Sequence, residues 1–148
     1  MQLTPEEKTV ILTFMQNNPM AVISTSDAKT GHPESALIAF AETENLEIIF
    51  ETFDVARKYE NLRAHPNVAF VIGWDLGVHC TLQCEGEAHE VLEENEREAC
   101  VRLMLAKDTP CTKKFLRDPH VKFFKVTPRW MRFSDYSKHP TMIIEGEC

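Results

Sequence analysis

The chain has 148 residues, of which 43% are hydrophobic and 26% charged, and its 16 basic and 23 acidic residues leave a formal net charge of −7. This composition excludes a disordered chain and predicts a single globular domain over residues 1–148. The negative charge argues against nucleic acid and anionic membranes as partners, because both are bound by clustered positive charge. No apolar run is long enough to span a bilayer and the N-terminus lacks a signal-peptide pattern, so we expect no membrane association and a cytoplasmic location.

The first third of the chain predicts one helix followed by strands. Residues 4–17 have the signals of a helix, since Thr4 can cap it, Pro5 suits its first position and Glu7 completes a capping box. Apolar and β-branched composition, together with turn residues, predicts the segments that follow. They are a strand at 20–25, a turn at 27–33, and a hairpin made of 35–42 and 46–52.

The remaining two thirds predict further strands and two short helices. The strand at 79–89 has the clearest signal, because its polar and apolar residues alternate strictly. The other predicted elements are a helix capped by Asp54 and ending near Ala64, a strand at 68–74, a helix at 93–107, a loop at 108–119, and strands at 121–127 and 129–136. The whole is mainly β with short helices, a small antiparallel β-barrel or α+β domain over about 20–136, followed by a short C-terminal tail.

The five cysteines do not predict a disulfide framework or a metal site. Their number is odd and no secretory signal accompanies them. His79, Cys80, Cys84 and His89 lie close in sequence, but four residues of strand separate the two cysteines by roughly 13 Å, too far for one zinc ion. The thiols are better explained as small core residues, and the reactivity of Cys111 and Cys148 stays open.

No catalytic constellation stands out in the sequence. The five glycines form neither a dinucleotide-binding nor a P-loop motif, and the six histidines are best explained as surface residues. His79 and Tyr136 are the only acid–base candidates near the cleft that the family resemblance described below implies, and neither is a convincing one. The catalytic residues are therefore unknown at this stage.

One cluster, residues 52–58, is suited to binding an anion. It runs from a strand end into the first turn of a helix, where free backbone N–H groups attract negative charge. Arg57 and Lys58 in that turn are unfavourable to the helix dipole, which suggests an anionic ligand such as a phosphate. The residues alone also fit a simpler interpretation, in which both cations are solvated and Asp54 caps the helix.

The run TFDVARKYENLRAHPNVAF at 52–70 resembles the signature of the pyridoxamine 5′-phosphate oxidase-like family of FMN-binding split barrels. In that family a strand ends in Thr, Ser-Arg-Lys opens a helix, and Leu and Pro-x-Val lead into the next strand. Weaker similarities occur, in order, at 31–33, at 85–88 and at 128–136, so the resemblance covers roughly residues 18–136.

The resemblance implies a homodimer that holds FMN between its subunits and acts as an oxidoreductase on a small-molecule substrate or electron donor. Arg57 and Lys58 would then bind the phosphate with help from Thr52, and the residues Ser35, Ala36, Leu37 and Ile38 would line the flavin ring through their backbone. Thr81 falls where the partner subunit offers a polar side chain, and Trp130 is placed near the ring. Trp130 is equally well explained as a core or interface residue, and Thr81 as a solvated strand residue.

The sequence departs from the vitamin B6 oxidases of this family. Their R-x-V-L-L-K strand carries two cations where this chain has Ala36 and Ala41. Ala56 replaces the serine before Arg-Lys, which removes one hydrogen bond to the phosphate, worth about 1 kcal/mol of binding free energy. Arg132-Phe133-Ser134 lacks the Arg-x-His that holds the vitamin. We therefore do not expect a true pyridoxamine-phosphate oxidase. The alternatives are another flavin, a deazaflavin or haem as ligand, a carrier or sensor without turnover, or a cofactor-free interaction protein.

Overall fold

A computed structural model describes residues 1–73, 77–107 and 113–148 of the chain. Over these residues the chain is mainly β, with three short helices. The helices are α1 (Pro5–Gln16), α2 (Arg57–Ala64) and α3 (Glu94–Ala106). The strands are β1 (Met20–Ser26), β2 (Pro33–Ala39), β3 (Ala41–Glu42), β4 (Ile48–Phe53), β5 (Asn67–Ile72), β6 (Cys80–Glu90), β7 (Val121–Asp135) and β8 (Met142–Glu147). No helix in this described part is long and apolar enough to cross a bilayer.

The strands form one curled antiparallel sheet, a half-barrel. Their order is β2-β1-β5-β6-β7-β4-β3, and β8 adds to β7. Residues 124–135 of β7 pair with β6, whereas its other edge is shared between β4 at 121–126 and β8 at 130–135. β2 lies at one end of this order and pairs with β1, so within the described residues its other edge is free of a strand.

Two apolar cores hold the sheet and helices together. In the main core, Phe50 stacks on Phe124 with ring centroids 5.7 Å apart and meets Phe70 edge-on at 6.1 Å. Ile11 and Met15 of α1 are fully buried against the same core. A second core packs α3 against β3, β4 and the start of β7. Both cores contain residues of β4, so the end of β4, where α2 follows, is firmly positioned.

Two predictions from the sequence are confirmed in detail. Helix α1 begins with the expected capping box: the Glu7 amide donates to Thr4 Oγ1 at 3.2 Å, and the Thr4 amide donates to Glu7 Oε2 at 2.8 Å. Strand β6 alternates as expected, with Leu82, Cys84 and Ala88 among its buried residues. Both features depend on local sequence alone.

The prediction of separate strands at 121–127 and 129–136 is wrong, because β7 continues through Pro128. The register with β6 shifts at this point: Pro128 pairs with Gly86 and Trp130 with Glu85, which leaves Arg129 as the extra residue of a β-bulge. Proline lacks an amide hydrogen for the ladder, so an interruption in the ladder accommodates it. A Cβ on Gly86 would lie 2.6 Å from the carbonyl oxygen of Thr127, and only glycine allows this approach.

The predicted hairpin of 35–42 with 46–52 is mostly wrong as well. Only Ala41 and Glu42 pair with β4, whereas the seven residues of β2 pair with β1. The turn that joins β1 to β2 explains this pairing, because the Asp27 amide donates to His32 O at 2.8 Å and the Gly31 amide donates to Asp27 O at 2.9 Å. Gly31 has a φ of 72°, which favours glycine. The tight turn therefore places β2 beside β1, and the two strands pair.

The sequence predicted a short C-terminal tail, but this segment contains strand β8. Ile144 and Gly146 are buried, and the Leu3 amide donates to Glu147 O at 2.9 Å, which joins the two ends of the chain. The apolar signal of this strand is too short to be distinguished from a tail by sequence. The last residue of the predicted strand at 68–74 lies outside the described residues. The same holds for residues 108–112 of the predicted loop at 108–119.

Candidate functional site

Two adjoining cavities open where β1, β2, the end of β4 and the start of α2 meet. The first, which we call the polar cavity, has a volume of about 200 Å³. The second, the apolar cavity, has a volume of about 260 Å³. Lys58 lines both cavities and so joins them into one site.

Seven of the nine binding residues expected from the sequence meet around these cavities. Ser35, Ala36, Arg57 and Lys58 line the polar cavity together with Ile23, Thr25 and Glu34. The apolar cavity is lined by Lys58 and by Met20, Leu37, Ile38, Ala39, Glu51, Thr52, Phe53 and Ala56. The structure thus brings together the residues of the 52–58 cluster and those of β2, which are distant in sequence.

Helix α2 begins at this site without the predicted Asp54 cap. Its N-cap is Ala56, which offers no side-chain hydrogen bond. Asp54 instead lies 3.2 Å from His120 Nδ1 through its Oδ2, and its amide donates to His120 O at 2.9 Å. Within the described residues the backbone amides of Arg57 and Lys58 donate to no acceptor. The first turn of α2 therefore presents uncapped N–H groups beside two cationic side chains.

A buried polar network, which sequence reasoning missed, supports the polar cavity. Asn61 is 2% exposed, and its Nδ2 donates to Glu34 Oε2 at 2.8 Å and to Thr25 Oγ1 at 3.2 Å. Its Oδ1 accepts from the Ala28 amide at 2.9 Å. Glu34 also forms an ion pair with Arg57, whose side chain is 80% exposed. The only signal in the sequence is that Asn61 lies four residues after Arg57, on the same face of the helix.

The apolar cavity contains one carboxylate. Burial raises the pKa of Glu51, and the nearby positive charge of Lys58 opposes part of that shift. A hydrogen bond from the backbone of Glu51 to its own carboxylate also opposes the rise in pKa. Thr52 is buried, and its hydroxyl lies 3.5 Å from the carbonyl oxygen of Phe53, a long contact that leaves it available for a better acceptor.

Thr81 and Trp130, the other two expected residues, lie away from the cavities of their own chain. Ser35 and Trp130 belong to one row of paired residues that crosses β2, β1, β5, β6 and β7 through Ser24, Ala69 and Glu85. Four strand spacings separate the two ends of this row, about 19 Å. Thr81 is on β6 and pairs with Ser134 of β7, the strand that also contains Trp130. Neither residue lines the two cavities of its own chain.

The remaining candidates in the sequence acquire no site. The Tyr136 amide donates to His79 O at 2.9 Å, and neither residue lines the two cavities. Burial raises the pKa of the Cys84 thiol to about 12 and also raises the pKa values of Cys80, Cys100 and Cys148. Among the described residues no group of three His, Cys, Asp or Glu side chains could hold a metal ion. Cys111 lies outside the described residues.

Solved structures show the same fold at low sequence identity. General Stress Protein 26 from Bacillus anthracis aligns with a TM-score of 0.69 and 20% identity, over 85% of this chain and 92% of that one. A haem-binding protein from Mycobacterium smegmatis aligns with a TM-score of 0.79 and 13% identity, over 98% of this chain and 59% of that one. The haem storage protein HutZ from Vibrio cholerae aligns with a TM-score of 0.67 and 19% identity, over 86% of this chain and 91% of that one.

Sequence identifies the family more narrowly than the shared fold does. No curated protein sequence matches the chain significantly. The family model described as pyridoxamine 5′-phosphate oxidase matches residues 8–135, which include both cavities and the start of α2. The chain therefore belongs to the pyridoxamine 5′-phosphate oxidase family.

Proposed function

We propose that this chain binds FMN at the two joined cavities and acts as an oxidoreductase through the bound flavin. The observation that carries the proposal is the start of α2, where two cationic side chains line the cavities beside two uncapped amides, next to the edge of β2 that pairs with no strand among the described residues. FMN carries an anionic phosphate at one end and a flat ring at the other, joined by a ribityl chain. The site offers a suitable environment for each of them.

The phosphate would bind at the start of α2. Backbone N–H groups at a helix N-terminus attract phosphate through both hydrogen bonding and the helix dipole. Arg57 and Lys58 add charge-assisted hydrogen bonds, and the mostly exposed Arg57 side chain is free to reorient toward a ligand. The hydroxyl of Thr52, at the end of β4, would add a further contact.

The flavin ring would lie along β2. This strand is at the end of the sheet order, so peptide groups of Ser35, Ala36, Leu37 and Ile38 on its free edge can pair with the polar edge of the ring. The apolar cavity beside them, with Met20, Leu37 and Ile38, would cover the ring face. FMN supplies hydride or electron transfer when it is bound, whereas the protein provides position and electrostatic tuning.

We propose that two chains form the complete site. The outer face of the sheet carries a row of apolar residues that pair across β2, β1 and β5, namely Leu37, Val22 and Val71. Leu37 is 61% and Val71 is 44% exposed, an arrangement suited to contact with a second chain. A two-fold partner would also supply its Thr81 and Trp130 to the flavin, residues that in one chain lie several strands from β2, about 19 Å along the sheet for Trp130.

The substrate is proposed to be a small molecule other than a vitamin B6 phosphate. Ala36 lines the polar cavity but carries no charge. Ala41 is buried in the second core, away from both cavities. Arg132 lies near Glu145 of β8, with 3.5 Å between its Nη1 and Oε2 of that carboxylate. The two cations of the R-x-V-L-L-K strand, and the Arg-x-His that holds the vitamin in the B6 oxidases, therefore have no counterpart among the residues that line the two cavities.

Haem handling is the second candidate function. The folds of a haem-binding and a haem storage protein match this chain with TM-scores of 0.79 and 0.67. Haem iron is commonly held by histidine, and none of the described residues that line the two cavities is a histidine, although Met20 lines one of them. The lining residues therefore favour flavin over haem.

A spectral titration with FMN and riboflavin tests the proposed function. The unaltered chain should bind FMN more tightly than riboflavin, since only FMN carries the phosphate. The double substitution Arg57→Ala/Lys58→Ala should weaken FMN binding by well over tenfold, about 1.4 kcal/mol or more, and leave riboflavin binding nearly unchanged. Arg102→Ala/Lys138→Ala, which removes two exposed cations elsewhere, is the matched control. Equal losses for both ligands in the site variant would rule out phosphate binding there.

A further inference from the structure

The polar cavity already contains a carboxylate where the phosphate is proposed to bind. Glu34 lies on β2 with its side chain only 18% exposed, and it lines the cavity beside Arg57. Its Oε2 accepts a hydrogen bond from the buried Asn61 at 2.8 Å. Its Oε1 is closed off from solvent, and within the described residues the Arg57 guanidinium is the only group that compensates it.

The two members of this ion pair are held very differently. Glu34 is fixed by Asn61, which in turn is fixed by Thr25 and by the Ala28 amide. The Arg57 side chain is 80% exposed and lacks any other hydrogen bond to the described residues. Arg57 can therefore leave the pair and turn toward a ligand, whereas Glu34 stays at the cavity wall.

The charges of the joined cavities cancel. Arg57 and Lys58 contribute two positive charges, and Glu34 and Glu51 line the same cavities as two carboxylates. A phosphate monoester with two negative charges meets Glu34 next to the cation that it needs. Glu34 already holds Nη2 of Arg57, so the phosphate and this carboxylate compete for the charge of the same guanidinium.

We propose that Glu34 is a specificity-determining residue, a built-in counter-ion that competes with phosphate for Arg57 and limits how strongly this site selects phosphorylated ligands. The inference rests on the proposed function, because it concerns the same phosphate site. It goes beyond that function in naming a residue that opposes phosphate binding. The site then favours ligands with little negative charge more than its two cations suggest.

Glu34→Gln is the direct test, because the amide oxygen can still accept the hydrogen bond from Asn61 while the negative charge is lost. We expect the ratio of FMN affinity to riboflavin affinity to rise by about tenfold, since one repulsive charge next to the phosphate is removed. Glu34→Ala should raise the same ratio, which keeps the test informative if either variant is poorly folded. Glu98→Gln is the matched control, because it breaks another carboxylate–arginine pair, with Arg117, away from the site.

The outcomes separate the two proposals. A higher ratio in both Glu34 variants, with no change in Glu98→Gln, supports the role of Glu34. An unchanged or lower ratio, in a chain whose FMN binding depends on Arg57 and Lys58, overturns the role of Glu34 and leaves the proposed function in place. If neither the unaltered chain nor the Glu34 variants prefer FMN to riboflavin, both proposals are wrong.

Discussion

Two pairs of a cation and a carboxylate occur at functionally different places in this fold, and solvent reaches them very differently. In the pair at the end of α3, the side chains of Lys107 and Glu42 are 7% and 11% exposed. Lys107 Nζ also donates to Met15 O at 2.8 Å and lies 3.6 Å from the centre of the Phe40 ring. In the pair at the cavities, the Arg57 side chain is 80% exposed.

The contrast separates a structural pair from a pair that is available for binding. The Lys107 ammonium contacts Glu42, the Met15 carbonyl and the Phe40 ring and is almost fully enclosed, so that pair joins α3, α1 and β3 and leaves little surface for a ligand. Arg57 has most of its surface free, so a ligand can approach it without unfolding anything. A cation that is exposed beside a cavity and paired with an anchored carboxylate is therefore the better mark of a binding site.

Breaking the enclosed pair should have the largest effect. Lys107→Ala leaves Glu42 buried without compensation, which we expect to lower the free energy of unfolding by about 3–5 kcal/mol. Arg57→Ala is the matched comparison and should lower it by about 1–2 kcal/mol, because the arginine is solvated and Glu34, although it loses its counter-ion, keeps the hydrogen bond from Asn61. Urea unfolding of both variants provides the measurement. Equal losses would contradict the distinction between the two pairs.

Removing the support of the open pair should have an intermediate effect. Asn61→Ala deletes the hydrogen bonds that Asn61 makes with Glu34, Thr25 and the Ala28 amide, so Glu34 keeps only its pair with Arg57. We expect unfolding free energy to fall by about 1–3 kcal/mol. The same urea experiment measures it, and Asn45→Ala, in the loop before β4, serves as the control. A change no larger than that of the control would show that the network does not support the cavity.

The smallest effect concerns the pH dependence of stability at Glu51. Its pKa is raised by burial, so the folded state retains this proton to a higher pH than the unfolded state does. The stability that the protonated form contributes is present below the unfolded pKa and is lost as pH rises through the folded pKa. Glu51→Gln should remove this loss, so the variant should gain stability relative to the unaltered chain as pH rises from 4 to 7. Thermal unfolding across that range measures the difference, and a constant difference would be inconsistent with a raised pKa.

Local sequence signals predicted those parts of the fold that depend on neighbouring residues. The Thr4–Glu7 capping box and the alternation in β6 are examples, and both are confirmed. The partner of β2 was not predictable in this way, because the choice between β1 and β4 depends on the turn at 27–32 and on the curl of the sheet. The continuity of β7 through Pro128 likewise depends on the bulge formed with a strand about forty residues earlier.

The site was predictable as far as the family resemblance extended. The signature at 52–70 identified Arg57 and Lys58, and the adjoining strands added the residues of β2 that meet them at the cavities. Asn61 and Glu34 were missed, because their bond joins residues 27 apart in sequence and neither belongs to a recognisable motif. Thr81 and Trp130 stay predictions, since their role depends on a second chain.

The visible absorption spectrum of the purified and desalted protein, before and after addition of FMN, shows whether the chain holds a flavin. We expect a two-band flavin spectrum that stays with the protein after a second desalting step. A sharp Soret band in the purified protein would instead support haem handling. Folded protein without a chromophore, and with a spectrum unchanged by added FMN, would contradict the proposed function.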